Sequence, residues 1–376
     1  MQMPVETSLM RWMFAGLIVL HGLIHVAGFA KAFGLAELPQ LTQPISRSVG
    51  VVWLAAALGL VVTALLLIGQ ARVWWMAGLA VALLSQGVII ASWSDARFGT
   101  IANALLLTGV AYGFVSQGPL SFRAEYRREV RARLSNMPAM PVLTEADLAP
   151  LPEPVRRYLR VTGAVGQPRV HHIRVSWRGR IRQSPDDPWM PFVAEQYSFP
   201  AEPSRFFLMD ATRSGLPVDV FHAFRGQSAT MRVRLLSLVR MVDASGPELT
   251  RAETVTLLND LCLLAPAALI DPGIAWEPLD SRSVRARYTV GPNTVGAVLS
   301  FNEAGELVDF VSDDRLAASP DGERFIRQRW STPVHDYRSF GPLRLMARGE
   351  GRWHPPDGEF AYLEIELLDV DTNPGS

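Results

Sequence analysis

Through its first third the chain is apolar in long blocks. Leu9 to Phe33, Val49 to Gly69, Val73 to Trp93 and Gly99 to Val115 each come close to the ~20 residues a helix needs to cross a hydrocarbon core. Arg11 and Lys31 bracket the first block. Trp53, Trp74, Trp75 and Trp93 fall near the ends of the next two, where indole rings settle at membrane interfaces. After Val170 the period drops to two. In Ile173 to Arg182, Met231 to Leu235, Val284 to Tyr288 and Leu363 to Leu367, apolar residues alternate with charged or small polar ones, the pattern of strands with one dry and one wet face.

Further strands are predicted over Phe192 to Phe199, Arg205 to Ala211, Val218 to Phe224, Thr294 to Phe301, Leu307 to Ser312, Ile326 to Val334 and Leu343 to Trp353, about eleven in all, in meander order. Gly291-Pro292-Asn293, Asn302-Glu303-Ala304-Gly305 and Pro355-Pro356-Asp357-Gly358 supply hairpin chemistry between them. One longer helix, Glu248 to Leu264, interrupts the series before a Pro272-Gly273 stop. The expected fold class is an α-helical membrane bundle of four transmembrane helices plus a mainly antiparallel β domain, its sheet curled into a half-barrel. Residues 1–118 would form the bundle, 119–153 a juxtamembrane amphipathic helix and proline-rich linker (Pro138, Pro141, Pro150, Pro152), and 154–376 the soluble domain.

Charge settles orientation. With the N-terminus inside, the inner side holds Arg11, Arg72, Arg123, Arg127, Arg128, Arg131 and Arg133, the outer side only Lys31, Arg47 and Arg97. The rule that basic loops stay inside predicts a cytoplasmic β domain on a bacterial inner membrane. Phe122, Tyr126, Val130 and Leu134 form one helical stripe among those arginines, which suits a helix lying on anionic headgroups at Arg123, Arg127, Arg128, Arg131 and Arg133. Over the whole chain 36 basic residues balance 36 acidic ones, which gives no footprint for nucleic acid. The single cysteine, Cys262, lies in an apolar run and reads as a buried small hydrophobe.

Two groups of polar residues are candidates for chemistry. His21 and His25, four apart and so on one helical face, with Gln86 and Asn103 from other spans, form an intramembrane polar seam. A haem needs histidines from opposite sides and a metal needs a further ligand beside them, so the expected reading is hydrogen bonding across the bundle, without cofactor or metal. In the β domain Asp309, Asp313, Asp314, Arg315 and Asp336 are the densest charged group, read chiefly as a turn. Trp177, Phe207, Phe221, Trp276 and Trp330 are the aromatics expected to line a concavity fit for an apolar small molecule, with a filled core as the plainer account. No catalytic motif is present: the sequence has no nucleophile elbow, phosphate loop or zinc-ligand spacing.

Leu151-Pro152-Glu153-Pro154-Val155-Arg156-Arg157-Tyr158-Leu159, the run ending Ser312-Asp313-Asp314-Arg315, Trp330-Ser331-Thr332-Pro333, and Trp353 with Asp357-Gly358-Glu359-Phe360 resemble a bacterial family of unknown function. Members with four N-terminal spans share an opening similar to His21-Gly22-Leu23-Ile24-His25. The order of elements in the soluble part loosely resembles the lipoprotein-carrier half-barrel, whose concavity shelters acyl chains. Both resemblances imply architecture and neither implies an activity. The expected function is therefore a membrane-tethered module binding a lipid or other apolar molecule. A membrane-bound enzyme acting on lipid-like substrates and a scaffold in a membrane complex are the alternatives.

Overall fold

The computed structural model describes residues 5–135, 139–319 and 321–375; Pro138 of the linker and Pro320 of the loop after Arg315 lie outside the described residues. The chain divides into two compact units, one running to Glu125 and the other from Tyr126 onward.

The first unit is helical. Its elements are α1 (Val5–Ala32), α2 (Arg47–Ile68), α3 (Trp74–Ala91), the single turn α4 (Trp93–Ala96) and α5 (Gly99–Gln117). Four helices here are long and apolar enough to cross a membrane, and only 28% to 39% of each apolar window is buried within the protein. Most of their apolar surface, including Leu20, Leu23, Leu58, Leu65, Leu83 and Ile101, therefore faces outward, as lipid-facing helices require. Helix contact depends on small residues. A Cβ at Gly28 would sit 2.1 Å from the Trp53 ring and one at Gly50 would sit 2.3 Å from Ala32, so glycine is what lets α1 and α2 close on each other.

Helix α6 (Phe122–Leu134) carries the chain into the second unit, followed by a 3-10 turn (Glu145–Leu148) with a Thr144/Asp147 capping box and by α7 (Glu153–Val161). Six strands come next: β1 (Ile173–Ile181), β2 (Met190–Phe199), β3 (Ser204–Arg213), β4 (Leu216–Arg225), β5 (Ser228–Leu235) and β6 (Val239–Ser245). Then come α8 (Pro247–Leu264), a 3-10 turn (Pro266–Ile270), β7 (Ile274–Pro278), β8 (Ser283–Val290), β9 (Asn293–Phe301) and β10 (Leu307–Ser312). Short strands follow: β11 (Leu316–Ala318), β12 (Phe325–Arg327), β13 (Trp330–Ser331), β14 (Val334–His335), β15 (Arg338–Phe340) and β16 (Leu343–Leu345). The unit closes with β17 (Arg348–Trp353) and β18 (Phe360–Thr372).

Among the described residues one antiparallel sheet of 14 strands has the order β6-β5-β4-β3-β2-β1-β18-β17-β13-β10-β9-β8-β7, with β14 beside β17. Two meanders are thus joined by pairing the first strand with the last. Along that joint Arg180 meets Glu364 at 2.7 Å, the cross-strand pair its alternation predicts. The sheet does not close, yet α8 touches β5 and β6 near one edge and β9 and β10 near the other. A helix can reach both ends of one open order only if the sheet curls around it, which makes the half-barrel.

Two differences from the sequence reading have local causes. Ile326 to Val334 is not one strand but three, because Pro333 has no N–H for a ladder and the chain turns at Asp336 with φ +58. Leu343 to Trp353 likewise divides into β16 and β17. The edge strands β6 and β7 were not foreseen: Val239, Arg240 and Met241 are all exposed, so β6 lacks the alternation that a half-buried strand shows.

Helix α6 also meets protein where lipid was expected. Tyr126 donates to Glu195 at 2.9 Å and its ring lies 6.3 Å from that of Phe221; Glu129 accepts from Arg225 at 2.8 Å; and Arg133 stacks 4.6 Å from the Phe206 ring centre. Its stripe from Tyr126 on is covered by the sheet's convex face, whose aromatics give it a dry partner.

Candidate functional site

Helix α8 lies in the concavity and 14 of its 18 residues are buried. Most are leucine, valine or alanine, but Glu253 and Asp260, seven residues and two turns apart, share one stripe, with Asn259 beside it. Strands opposite supply partners. Asp260 accepts from Arg205 Nε at 2.7 Å and from Gln196 Nε2 at 2.6 Å, while Gln196 also reaches Ser198 at 2.9 Å and accepts from Arg205 at 3.2 Å. Glu253 lies 3.4 Å from Arg315, 3.8 Å from Arg205 and 3.8 Å from His222. Asn259 donates to Thr332 at 2.6 Å. Arg315 further donates to Ala252 O at 2.7 Å and to the Thr256 hydroxyl, and its guanidinium stacks 4.5 Å from the Trp330 ring centre.

The two carboxyls are tuned oppositely. At Glu253 burial pushes the pKa up, but His222, Arg315 and Arg205 outweigh it and hold the carboxyl well below the usual range. At Asp260 burial wins over Arg205 and Gln196, and the pKa is raised. Burial also pushes the Cys262 thiol up, which leaves it an inert core residue.

Where α8 meets the β2–β3 turn a cleft opens, walled by Ile173, Phe199, Leu257, Leu261 and Tyr288 and floored by Ser198, Ser204 and Asp260. Its free volume is about 10 Å³, room for one water at most. The Ser204 hydroxyl, buried at its edge, finds no partner among the described residues.

The residues singled out from the sequence are distributed as follows. Trp177, Phe207, Trp276 and Trp330 pack on the core around α8, whereas Phe221 points to the convex face beneath Tyr126. The charged group does not gather. Asp314 is held by Gly296 N, Arg251 and Arg327 at 2.6 to 2.7 Å, Asp313 by Arg329 at 2.8 Å, and Asp336 lies 3.6 Å from Arg348. Asp309 is half-buried, its pKa raised by that burial, and Arg315 alone turns inward to the α8 seam. In the helical unit His21 and His25 both bond to Ser85, at 3.2 and 2.8 Å. Asn103 accepts from Ser85 at 3.0 Å and donates to Gln86 at 3.0 Å, and Gln86 donates to Thr100 at 3.1 Å. Among the described residues no group of three histidine, cysteine or acidic side chains is placed to hold a metal.

Sequence reasoning missed Glu253, Asp260, Asn259, Arg205 and Gln196. Their signal was a polar or ionisable residue inside an otherwise apolar run, as in Arg205 before Phe206-Phe207, and no local period says which face such a residue takes.

Residues 141–365 match a family of unknown function, DUF6544. The chain belongs to it. Among solved structures a match is found to the crystal structure of a LolA superfamily protein, NE2245 from Nitrosomonas europaea. It has 11% identity and a TM-score of 0.35, and covers 59% of this chain and 94% of that one. No curated protein matches. In this DUF6544 chain the runs that carried the family resemblance surround the seam. Tyr158 of α7 donates to Cys262 O of α8 at 2.8 Å, Arg315 reaches Glu253, and Trp330 donates to Tyr362 at 3.1 Å.

One further contact has the order of a catalytic triad: Ser331 Oγ lies 2.8 Å from His354 Nε2, and His354 Nδ1 lies 3.3 Å from Glu359. Ser331 is 3% exposed and sits mid-sheet between β10 and β17, so its hydroxyl is closed to a substrate.

Proposed function

We propose that this protein is a membrane-tethered module, anchored in a bacterial inner membrane by its four apolar helices, that takes a lipid or other apolar molecule between the curled sheet and α8. The observation that carries the reading is the way α8 is seated. Its wall is apolar, but the contacts that fix its position are Arg205–Asp260, Arg315–Glu253 and Asn259–Thr332. A buried ion pair gives little net stability over an apolar replacement, because both partners regain water when they part. The seam is thus the part of the core that opens at least cost, and opening it exposes the dry face. The cleft at Ser204 is where such a molecule starts to enter, with a polar end on Ser204 and Asp260 and its apolar part along Leu257 and Leu261.

The small volume of that cleft favours a second reading, a scaffold whose core never opens, and native mass spectrometry of the full chain released from detergent separates the two. A retained lipid or apolar molecule in the wild type, lost on Ser204→Trp, supports the binding module. A bare chain that also leaves hydrophobic dyes dark while folded overturns it in favour of the scaffold.

A further inference from the structure

Hairpin turns usually carry small polar residues, but at one end of this sheet the β5–β6 turn is Leu236-Ser237-Leu238, and exposed apolar residues flank it. Leu216 opens β4 after the β3–β4 turn and is 44% exposed; Leu238, Val239 and Met241, at the β5–β6 turn and the start of β6, are 63%, 54% and 46% exposed. The register places them together: Arg213 pairs with Leu216, Val218 with Leu235, Leu235 with Val239, and Leu236 N–H bonds to Pro217 O. The β5–β6 turn is closed by Leu238 N–H to Leu235 O at 3.1 Å, with φ of +54 at Leu236 and +59 at Ser237. Asn-Gly adopts that geometry freely, whereas a leucine in the left-handed region is strained. Strain of this kind, held at an exposed apolar tip, points to a role outside folding.

The same end is basic and aromatic. Arg213 and Arg240 are exposed there, and Trp189, in the adjoining β1–β2 turn, is flanked by Arg180 and Arg182 at 4.5 and 4.4 Å from its ring centre. Of the acids nearby, Asp219 accepts from Ser237, Asp187 from Ser184 N and Oγ at 3.0 and 2.9 Å, and Asp243 pairs with Arg240 at 3.3 Å across the surface, while Asp186 is exposed. Tyr126 packs at the row of Glu195 and Phe221, and α6 then runs toward Arg225, away from Leu216. Leu216 lies about 17 Å from that row, five residues at ~3.3 Å each, on the side opposite to the course of α6.

We propose that this tip is a lipid-surface contact: Leu216, Leu238, Val239 and Met241 enter the headgroup boundary of a bilayer while Arg213 and Arg240 meet anionic headgroups, much as an interfacial helix divides its faces. The proposal rests on the four apolar helices crossing a bilayer, and the test separates the two claims.

Full-length protein carrying an environment-sensitive fluorophore at Leu238→Cys is placed in phosphatidylcholine/phosphatidylglycerol vesicles containing spin-labelled lipid; Cys262 is buried and stays unlabelled. Matched labels go on Leu83→Cys, an outward position of α3, and on Ser228→Cys, at the opposite end of the β4–β5 hairpin. With the tip ~5–10 Å into the boundary, position 238 loses roughly half or more of its emission, as position 83 does, and position 228 keeps it. Quenching at 83 without quenching at 238 overturns the tip contact and leaves the spans standing. Loss of quenching at both 83 and 238 overturns the spans as well. A label at 238 that reacts poorly in native membranes yet is not quenched by lipid assigns the tip to a protein partner and also overturns the proposal. Arg213→Glu with Arg240→Glu should reduce quenching at 238, as should omitting phosphatidylglycerol; unchanged quenching in both refutes the role given to charge.

Discussion

Replacing Arg205 by alanine is the sharpest probe of how α8 is held. The Arg205 and Asp260 side chains are 10% and 12% exposed with Nε and Oδ2 2.7 Å apart, so removing the guanidinium strands a buried carboxyl beside Gln196 and takes one of the two arginines away from Glu253. Removing one partner of a buried pair costs about 3–5 kcal/mol. At about 2–4 °C per kcal/mol for a domain of this size, the midpoint of tryptophan-fluorescence melting falls by roughly 10 °C. Asp260→Asn should cost far less, about 1 kcal/mol, because the amide keeps a partner in Gln196 and Arg205 retains Glu253. The double change Arg205→Met with Asp260→Leu should be neutral or stabilising by about 1–4 kcal/mol, since an apolar seam needs no desolvated charge. If the seam is also the opening, that double variant melts no lower than wild type yet no longer carries a co-purified apolar molecule. The comparison needs the full chain in nanodiscs at one scan rate. Equal small losses for Arg205→Ala and Asp260→Asn would refute the account of the seam, and a double variant that melts well below wild type would show the charges to be structural cement.

Glu253, whose carboxyl is held low, stabilises the fold above its unfolded pKa of ~4.3, and this contribution drains away as pH falls. The raised pKa of Asp260 acts in the opposite sense; Glu253→Gln should flatten the acid limb of a melting-point profile below pH ~4.3, and an unchanged limb would place its origin on the surface. Gly28→Ala forces a methyl into the Trp53 ring, overpacking worth about 1–3 kcal/mol; lower recovery of folded chain from membranes is expected, and wild-type recovery would mean that α1 and α2 are not seated this way. Ser331 should stay unlabelled by a fluorophosphonate probe under native conditions, whereas stoichiometric labelling abolished by His354→Ala would turn the Ser331–His354–Glu359 contact into an esterase site. A reporter fused after Ser376 should read as cytoplasmic, fluorescent as a green fluorescent protein fusion and inactive as alkaline phosphatase; the opposite pair of results would invert the orientation drawn from the arginines.

Most of the fold was legible because it rests on local periods. Long apolar blocks demand helices in lipid whatever surrounds them, since each backbone group must be satisfied within its own segment. Alternation such as Ile173 to Ile181 dictates a strand with two unlike faces, and Glu248 to Leu264 was placed to within a residue of the observed α8. Tertiary structure decided the rest. Pairing β1 with β18 joins residues nearly the full length of the second unit apart, and no local pattern encodes such a partner. The faces of Phe221 and Arg315 depended on which side of the sheet held α8 and which held α6. The candidate site was least legible of all. Glu253, Asp260 and Arg205 are separated in sequence and each sits in an apolar stretch, where a carboxylate or guanidinium is tolerable only beside a partner that the curl of the sheet delivers. A sequence states where charge is buried by interrupting an apolar run, and the curl of the open sheet around α8 determines what that charge meets.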